Sequence, residues 1–189
     1  MTATSEPDRW TQGAIYPDMW VDPEDDPRET IEATNDERGT LLAYLKQYRL
    51  TFEMKCTGLD AEQLARRSVP PSTMSLLGMV RHLADVEHNW FRRELAGQDV
   101  PRLFHDPHDP DADWNGAVAD PAMVVEAWRA WRAEVDFAED FVAATPDLGT
   151  LGVSGWPLRK VLVHMIEEYA RHCGHADLLR ERIDGRIGQ

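Results

Sequence analysis

The stretch His164-Met165-Ile166-Glu167-Glu168-Tyr169-Ala170-Arg171-His172-Cys173-Gly174-His175 decides how this chain is read. His164, Glu168 and His172 stand at i, i+4 and i+8, a spacing that stacks their side chains on one face of a helix. The same stripe continues through Val161 and Met165 on one side and Ala176 and Leu179 on the other. Polar atoms therefore point where a helix normally buries apolar groups. A carboxylate in such a stripe costs on the order of several kcal/mol unless something compensates it. A divalent cation does so simply, because it satisfies the carboxylate and fixes the imidazoles together.

Working outward, the periodicity predicts four long helices and no strands. The first starts at Thr34, with Glu37 completing a capping box, carries Leu41, Leu45, Tyr48 and Phe52, and ends at Gly58. The second follows Pro70-Pro71 with Ser72 or Thr73 as N-cap and runs through Leu76, Met79, Leu83, Val86 and Trp90 to Gly97. The third opens with Asp120 and Pro121 and closes at Pro146, and the fourth runs from Pro157 to Asp184, where Gly185 stops it. This describes an all-α four-helix bundle over residues 34–189, with a long loop, about residues 97–120, between helices two and three. That loop exceeds what a bundle needs and is placed to cover one end of the site. Residues 1–33 form an N-terminal extension with four prolines and an acidic run. Its Trp10, Tyr16, Met19 and Trp20 give it reason to pack on the domain, and a partly disordered tail is the alternative.

Composition narrows the class. With 189 residues the chain can bury a core of its own. A net charge of −14 argues against nucleic acid. No apolar run is long enough for a membrane span, and the acidic, polar start is unlike a signal peptide. Two cysteines far apart, Cys56 and Cys173, fit a reduced, cytoplasmic protein, and both read as inert core thiols.

A facing helix supplies the remaining candidate ligand. His82 lies between Met79 and Val86 on the apolar face of helix two and points inward. Alone it reads as a core histidine; beside an inward Glu168 and His172 it reads as a ligand, since bundle metal sites are built from facing helices. His164 and His175 flank the pair, each as a fourth ligand, a support for one, or a substrate contact. Glu167 lies about 100° round the helix from Glu168 and pairs with Arg171 at the surface. His88 shares a face with Arg81, Ala84 and Arg92 that looks solvated. Asp109, Asp111, Asp113 and Asp120 mimic a calcium loop, but Trp114 stands where the turn needs glycine, so the loop reads as a solvated acidic segment.

Ser75 to Phe91 and Val161 to Glu181 resemble the second and last helices of DinB-like proteins, most of all the mini-circle (DUF664) branch. The resemblance covers about residues 34–187 and implies a dimeric four-helix bundle with a divalent metal at one end. Three histidines are the usual ligands there. A His, Glu, His set, as in mycothiol-dependent maleylpyruvate isomerase, carries over to His82, Glu168 and His172. Zinc is the expected ion, with nickel or another first-row ion as alternatives, and a low-molecular-weight thiol such as mycothiol is the expected cosubstrate. The expectation is therefore a metal-dependent transferase acting on a small electrophile, with His175 and His164 as catalytic candidates. A metal-dependent hydrolase and a non-catalytic, stress-response metal binder are the alternatives. Seven tryptophans and the half-apolar extension give a further reason to expect a homodimer.

Overall fold

Asp36 starts the first long helix, α1 (Glu37–Cys56), its carboxylate accepting from the Gly39 amide at 2.8 Å. The start thus falls two residues past Thr34, because the aspartate reaches an N–H that no helical carbonyl can satisfy. A short α2 (Ala61–Ala65) follows, with Asp60 and Gln63 forming a reciprocal capping box. Ser75, rather than Ser72 or Thr73, caps α3 (Leu76–Glu87) through the Gly78 amide. The chain then continues without a break into a π-helical stretch, His88–Leu95, whose last bond runs from the Ala96 amide to the Phe91 carbonyl at 2.9 Å. The long loop contains a one-turn α4 (Ala112–Asn115). Asp120 and Pro121 open α5 (Pro121–Ala144). The last helix, α6 (Leu158–Asp184), ends where Gly185 takes a left-handed φ of +81°. The computed structural model describes residues 7–189, so the first six residues of the acidic, polar start on which the signal-peptide reading rests lie outside it.

Among the described residues the fold is all-helical, with isolated bridges and no strand. There, too, no helix is long and apolar enough to cross a membrane. Along its length α1 packs on α6 and α3 on α5, while α3 also meets α6. The core is the sum of their apolar stripes: Phe52, Leu83, Phe91, Trp131, Met165 and Tyr169 are all buried. Phe52 sits at ring distances of 6.0, 6.2 and 6.3 Å from Trp128, Trp131 and Tyr169. Each such side chain contributes roughly 1.5–3 kcal/mol by leaving water.

A polar seam crosses this core. Glu87, wholly buried on α3, accepts two hydrogen bonds from Arg49 of α1 and one from the Tyr169 hydroxyl of α6. That hydroxyl in turn accepts from the Trp131 indole of α5 at 2.8 Å. Four helices are thereby pinned in register through groups that cannot be left unpaired in a dry interior.

The segment before α1 lies along the C-terminal tail. Trp10 and Ile187 exchange main-chain contacts with the tail and the segment respectively, Trp10 N to Gly185 O and Ile187 N to Trp10 O, both at 2.9 Å. Trp20 is buried against three cations, Lys55, Arg180 and Arg186, with Arg186 3.9 Å from its ring centroid.

Candidate metal centre

The α6 face bearing His164, Glu168 and His172 meets α3 at His82. His82, Glu168 and His172 each offer a ligand atom, and these atoms lie within 4.8 Å of one another. Two metal bonds of 2.0–2.2 Å span at most about 4.4 Å, so a contraction of a few tenths of an ångström brings the group onto one ion. Two imidazoles and one carboxylate are a donor set that suits a first-row cation with open positions. Exposure falls on one side of the group: the side chains of His82 and Glu168 are 24% and 26% exposed, that of His172 only 9%. The cluster is therefore reachable from solvent past His82 and Glu168.

Electrostatics already favour a charged carboxylate here. The neighbouring His172 holds Glu168 below its ordinary pKa, against the opposing effect of burial, with His164 and His82 adding attraction. Glu168 Oε2 is 3.6 Å from His172 Nε2, and its Oε1 is 3.5 Å from His164 Nε2. His164 thus lies on the far side of Glu168, inside an aromatic box. Trp90 and Trp156 stack at 4.9 Å, and His164 stands edge-on to both at 4.8 and 6.0 Å. His175 lies behind His172, the two Nδ1 atoms 3.5 Å apart. Burial, then the neighbouring His172 and Arg171, depress the pKa of His175 and keep its ring neutral near pH 7. A small cleft of about 170 Å³, lined by His82, Asp85, Asn89, Trp90 and Arg102, adjoins the cluster.

Other expected positions fall as follows. Glu167 and Arg171 form an exposed pair at 3.1 Å. Both cysteines are buried and free, and burial pushes the Cys173 thiol up to about 12 and that of Cys56 higher still, so neither is a nucleophile near neutral pH. His88 is not a surface residue. It is buried, with Nε2 at 2.9 Å from the Pro101 carbonyl and Nδ1 at 3.3 Å from Glu134. The face that looked solvated packs against α5 and the long loop. Its cations are satisfied there, Arg92 by Glu134 at 2.5 Å and Arg81 by the Asp113 carbonyl at 2.8 Å.

The acidic loop holds what sequence reasoning missed. Asp111 is exposed and Asp109 half-buried, and both carboxylate oxygens of Asp109 accept from Asn115 at 3.1 Å. Asp113, by contrast, is buried and contacts His82 Nδ1 through Oδ2 at 2.7 Å. Trp114 lies over both imidazoles, 4.8 Å from the His82 ring and 5.7 Å from that of His172. The one available signal was the tryptophan itself, an apolar group with no reason to sit in a solvated acidic run.

The profile of one protein family, Mycothiol-S-transferase, matches residues 40–185. The chain belongs to the mycothiol S-transferase family. The match takes in all three clustered residues and the loop that covers them. In three dimensions the chain is similar to the crystal structure of a conserved protein from Enterococcus faecalis, with a TM-score of 0.53 and 16% identity. That superposition covers 80% of this chain and 98% of the other, and at such identity it speaks for the fold alone. No curated protein matches the chain.

Proposed function

We propose that this protein is a metal-dependent transferase that joins a low-molecular-weight thiol, mycothiol in the first instance, to a small electrophile. The observation that carries the reading is the convergence of His82, Glu168 and His172 within 4.8 Å, open to solvent on one side, in a chain of this family. These three residues would hold one divalent ion, zinc by the balance of nitrogen and oxygen donors. When bound, such an ion stabilises thiolate over thiol and so supplies a nucleophile at neutral pH. The DinB-like resemblance, with its four-helix bundle, supplies the frame for this reading.

The chain's own residues do the rest. Glu168 offsets part of the cation's charge and leaves a net positive centre to attract a sulfur anion. The cleft beside His82 admits the cosubstrates, with Asn89 and Arg102 offering polar contacts and Trp90 an aromatic wall. His164, between Glu168 and the Trp90–Trp156 pair, is placed to touch substrate and take up the thiol proton. His175, neutral and against His172 Nδ1, steadies that ligand and offers a second proton acceptor.

Consumption of mycothiol with monochlorobimane, measured on metal-loaded and metal-stripped protein, tests the reading. Faster turnover by the loaded protein is expected. Equal rates would reject it, and absence of thiol binding at millimolar concentration would favour the hydrolase or the non-catalytic binder. In the same reading the protein is a cytoplasmic homodimer, with the apolar strip Val124, Val125 and Trp128 on α5 available to a second copy. Light scattering at micromolar concentration that gives 21.5 kDa, the mass of one chain, would refute the dimer.

A further inference from the structure

We infer that Asp113 is a positioning residue for His82: from the long loop it fixes the tautomer and rotation of that imidazole, so that Nε2 is the nitrogen offered to the metal. The inference rests on the metal reading above and goes beyond it by assigning a role to the loop.

Asp113 sits on α4, and its carboxylate is an expensive group to bury. The residue is 7% exposed, yet among the described residues no arginine or lysine forms an ion pair with its carboxylate oxygens, Arg81 acting on it only at longer range. Oδ1 accepts from the Trp114 amide at 3.1 Å, and Oδ2 lies 2.7 Å from His82 Nδ1. A carboxylate only accepts, so Nδ1 must carry the hydrogen and Nε2 is left with its lone pair. That is the form in which a neutral imidazole ligates through Nε2.

A purely architectural role does not account for the carboxylate. The loop is held by other means: Arg81 donates to the carbonyls of Asp113 and Ala112 at 2.8 and 3.0 Å, both main-chain acceptors indifferent to the side chain. Trp114 adds a packed contact, close enough to Gly78 that a Cβ there would stand 3.0 Å from the indole. With α4 anchored in this way, the Asp113 carboxylate is free to serve His82. Trp114 completes the arrangement by stacking on the same ring, its plane 30° from that of the imidazole. One loop turn thus supplies both a hydrogen-bond acceptor and a flat wall, which together leave His82 one orientation.

The test uses the full-length protein and zinc alone. Zinc affinity is measured by competition with a chelating dye for the wild type, Asp113→Ala and Asp113→Asn. Loss of the acceptor should weaken binding about 10- to 100-fold in Asp113→Ala, with Asp113→Asn, which keeps an acceptor but not the charge, in between. Two-bond 1H–15N spectra of the metal-free proteins report the tautomer directly. His82 should be protonated on Nδ1 in the wild type and shift toward Nε2 protonation in Asp113→Ala, a change that mere loosening of the loop would not produce. Should Asp113→Ala misfold by circular dichroism, Asp113→Leu, of similar size and without an acceptor, takes its place in both readouts. An acceptor-free variant that binds zinc as tightly as the wild type, or that keeps the wild-type tautomer, would overturn the inference. A wild type that binds no zinc would instead overturn the metal reading.

Discussion

Arg49 and Glu87 face each other across the α1–α3 boundary with two parallel hydrogen bonds of 2.8 and 2.7 Å, both side chains out of solvent. Removing one partner of such a pair leaves an uncompensated buried charge, which costs far more than the net worth of the pair. Arg49→Ala should therefore destabilise the protein by about 3–5 kcal/mol in urea denaturation. Arg49→Lys keeps the charge, loses the fork, and should fall between. A loss below about 1 kcal/mol would mean that water enters the seam and solvates Glu87.

Gly78 tests how tightly the loop is seated. A methyl group there would meet the Trp114 ring at 3.0 Å and its Cα at 3.3 Å. Alanine gains up to about 1 kcal/mol of helix propensity over glycine, so Gly78→Ala can fold as stably as the wild type while pushing α4 outward. The expected result is an unchanged denaturation midpoint, a red-shifted tryptophan emission and weaker zinc binding. A fall in stability with Trp114 unmoved would show that the helix, rather than the loop, gives way.

Much of this fold was legible because its signals are local. Asp120-Pro121 opened α5 and Gly185 closed α6 where the sequence placed them, since a cap, a fixed φ and a left-handed φ depend on few neighbours. The convergence of His82 with Glu168 and His172 was legible for a related reason: three polar groups on two apolar stripes must meet if the stripes do. What was missed depends on partners distant in sequence. His88 and Arg92 looked solvated because Glu134, which lies more than forty residues away, was not visible as their counter-charge. Asp113 was one aspartate among several, and only the path of the loop separates it from Asp109 and Asp111. The start of α1 slipped from Thr34 to Asp36 because several residues there can cap and tertiary geometry chooses among them.

Asp26 should govern part of the acid limb of stability. Burial raises the pKa of its carboxyl, but hydrogen bonds from the Arg28 side chain and amide more than offset that, and the net shift is downward. A group with a depressed folded pKa stabilises the fold above its unfolded pKa, about 3.9, and that stabilisation is lost as pH falls through the folded value. Asp26→Asn should thus be destabilising at pH 6, with the difference shrinking as pH falls below the unfolded pKa. The comparison is read from denaturation midpoints across that range. Parallel wild-type and variant curves would show that the Asp26–Arg28 pair does not hold the segment.

Chelation should lower the melting temperature without unfolding the chain. The cluster joins α3 to α6, so a bound ion adds stability by mass action, about 2.7 kcal/mol at a free concentration 100 times Kd. The aromatic core around Phe52 and the Arg49–Glu87 seam do not depend on the ion. Circular dichroism should therefore show full helicity at 25 °C in the presence of a chelator and an earlier melt on heating. Loss of helix at room temperature would place the ion among the groups the fold requires.

Glu168→Ala is the sharpest test of the site, because it separates ligation from architecture. Glu168 is half-buried, and on its own helix its carboxylate lies against His172 and His164, so truncation leaves no wide cavity. Removing it leaves two imidazoles to hold a cation whose charge is no longer offset. Zinc affinity and thiol transfer should both fall by at least about 100-fold, which corresponds to roughly 2.7 kcal/mol. Stability without metal should change by less than about 1 kcal/mol, or rise slightly, since a partly desolvated charge has gone. Glu168→Gln keeps the shape and an oxygen donor but not the charge, and should recover part of the affinity and little of the turnover. A Glu168→Ala protein that retains wild-type affinity would move the carboxylate out of the ligand set and leave His164 or His175 as the third donor.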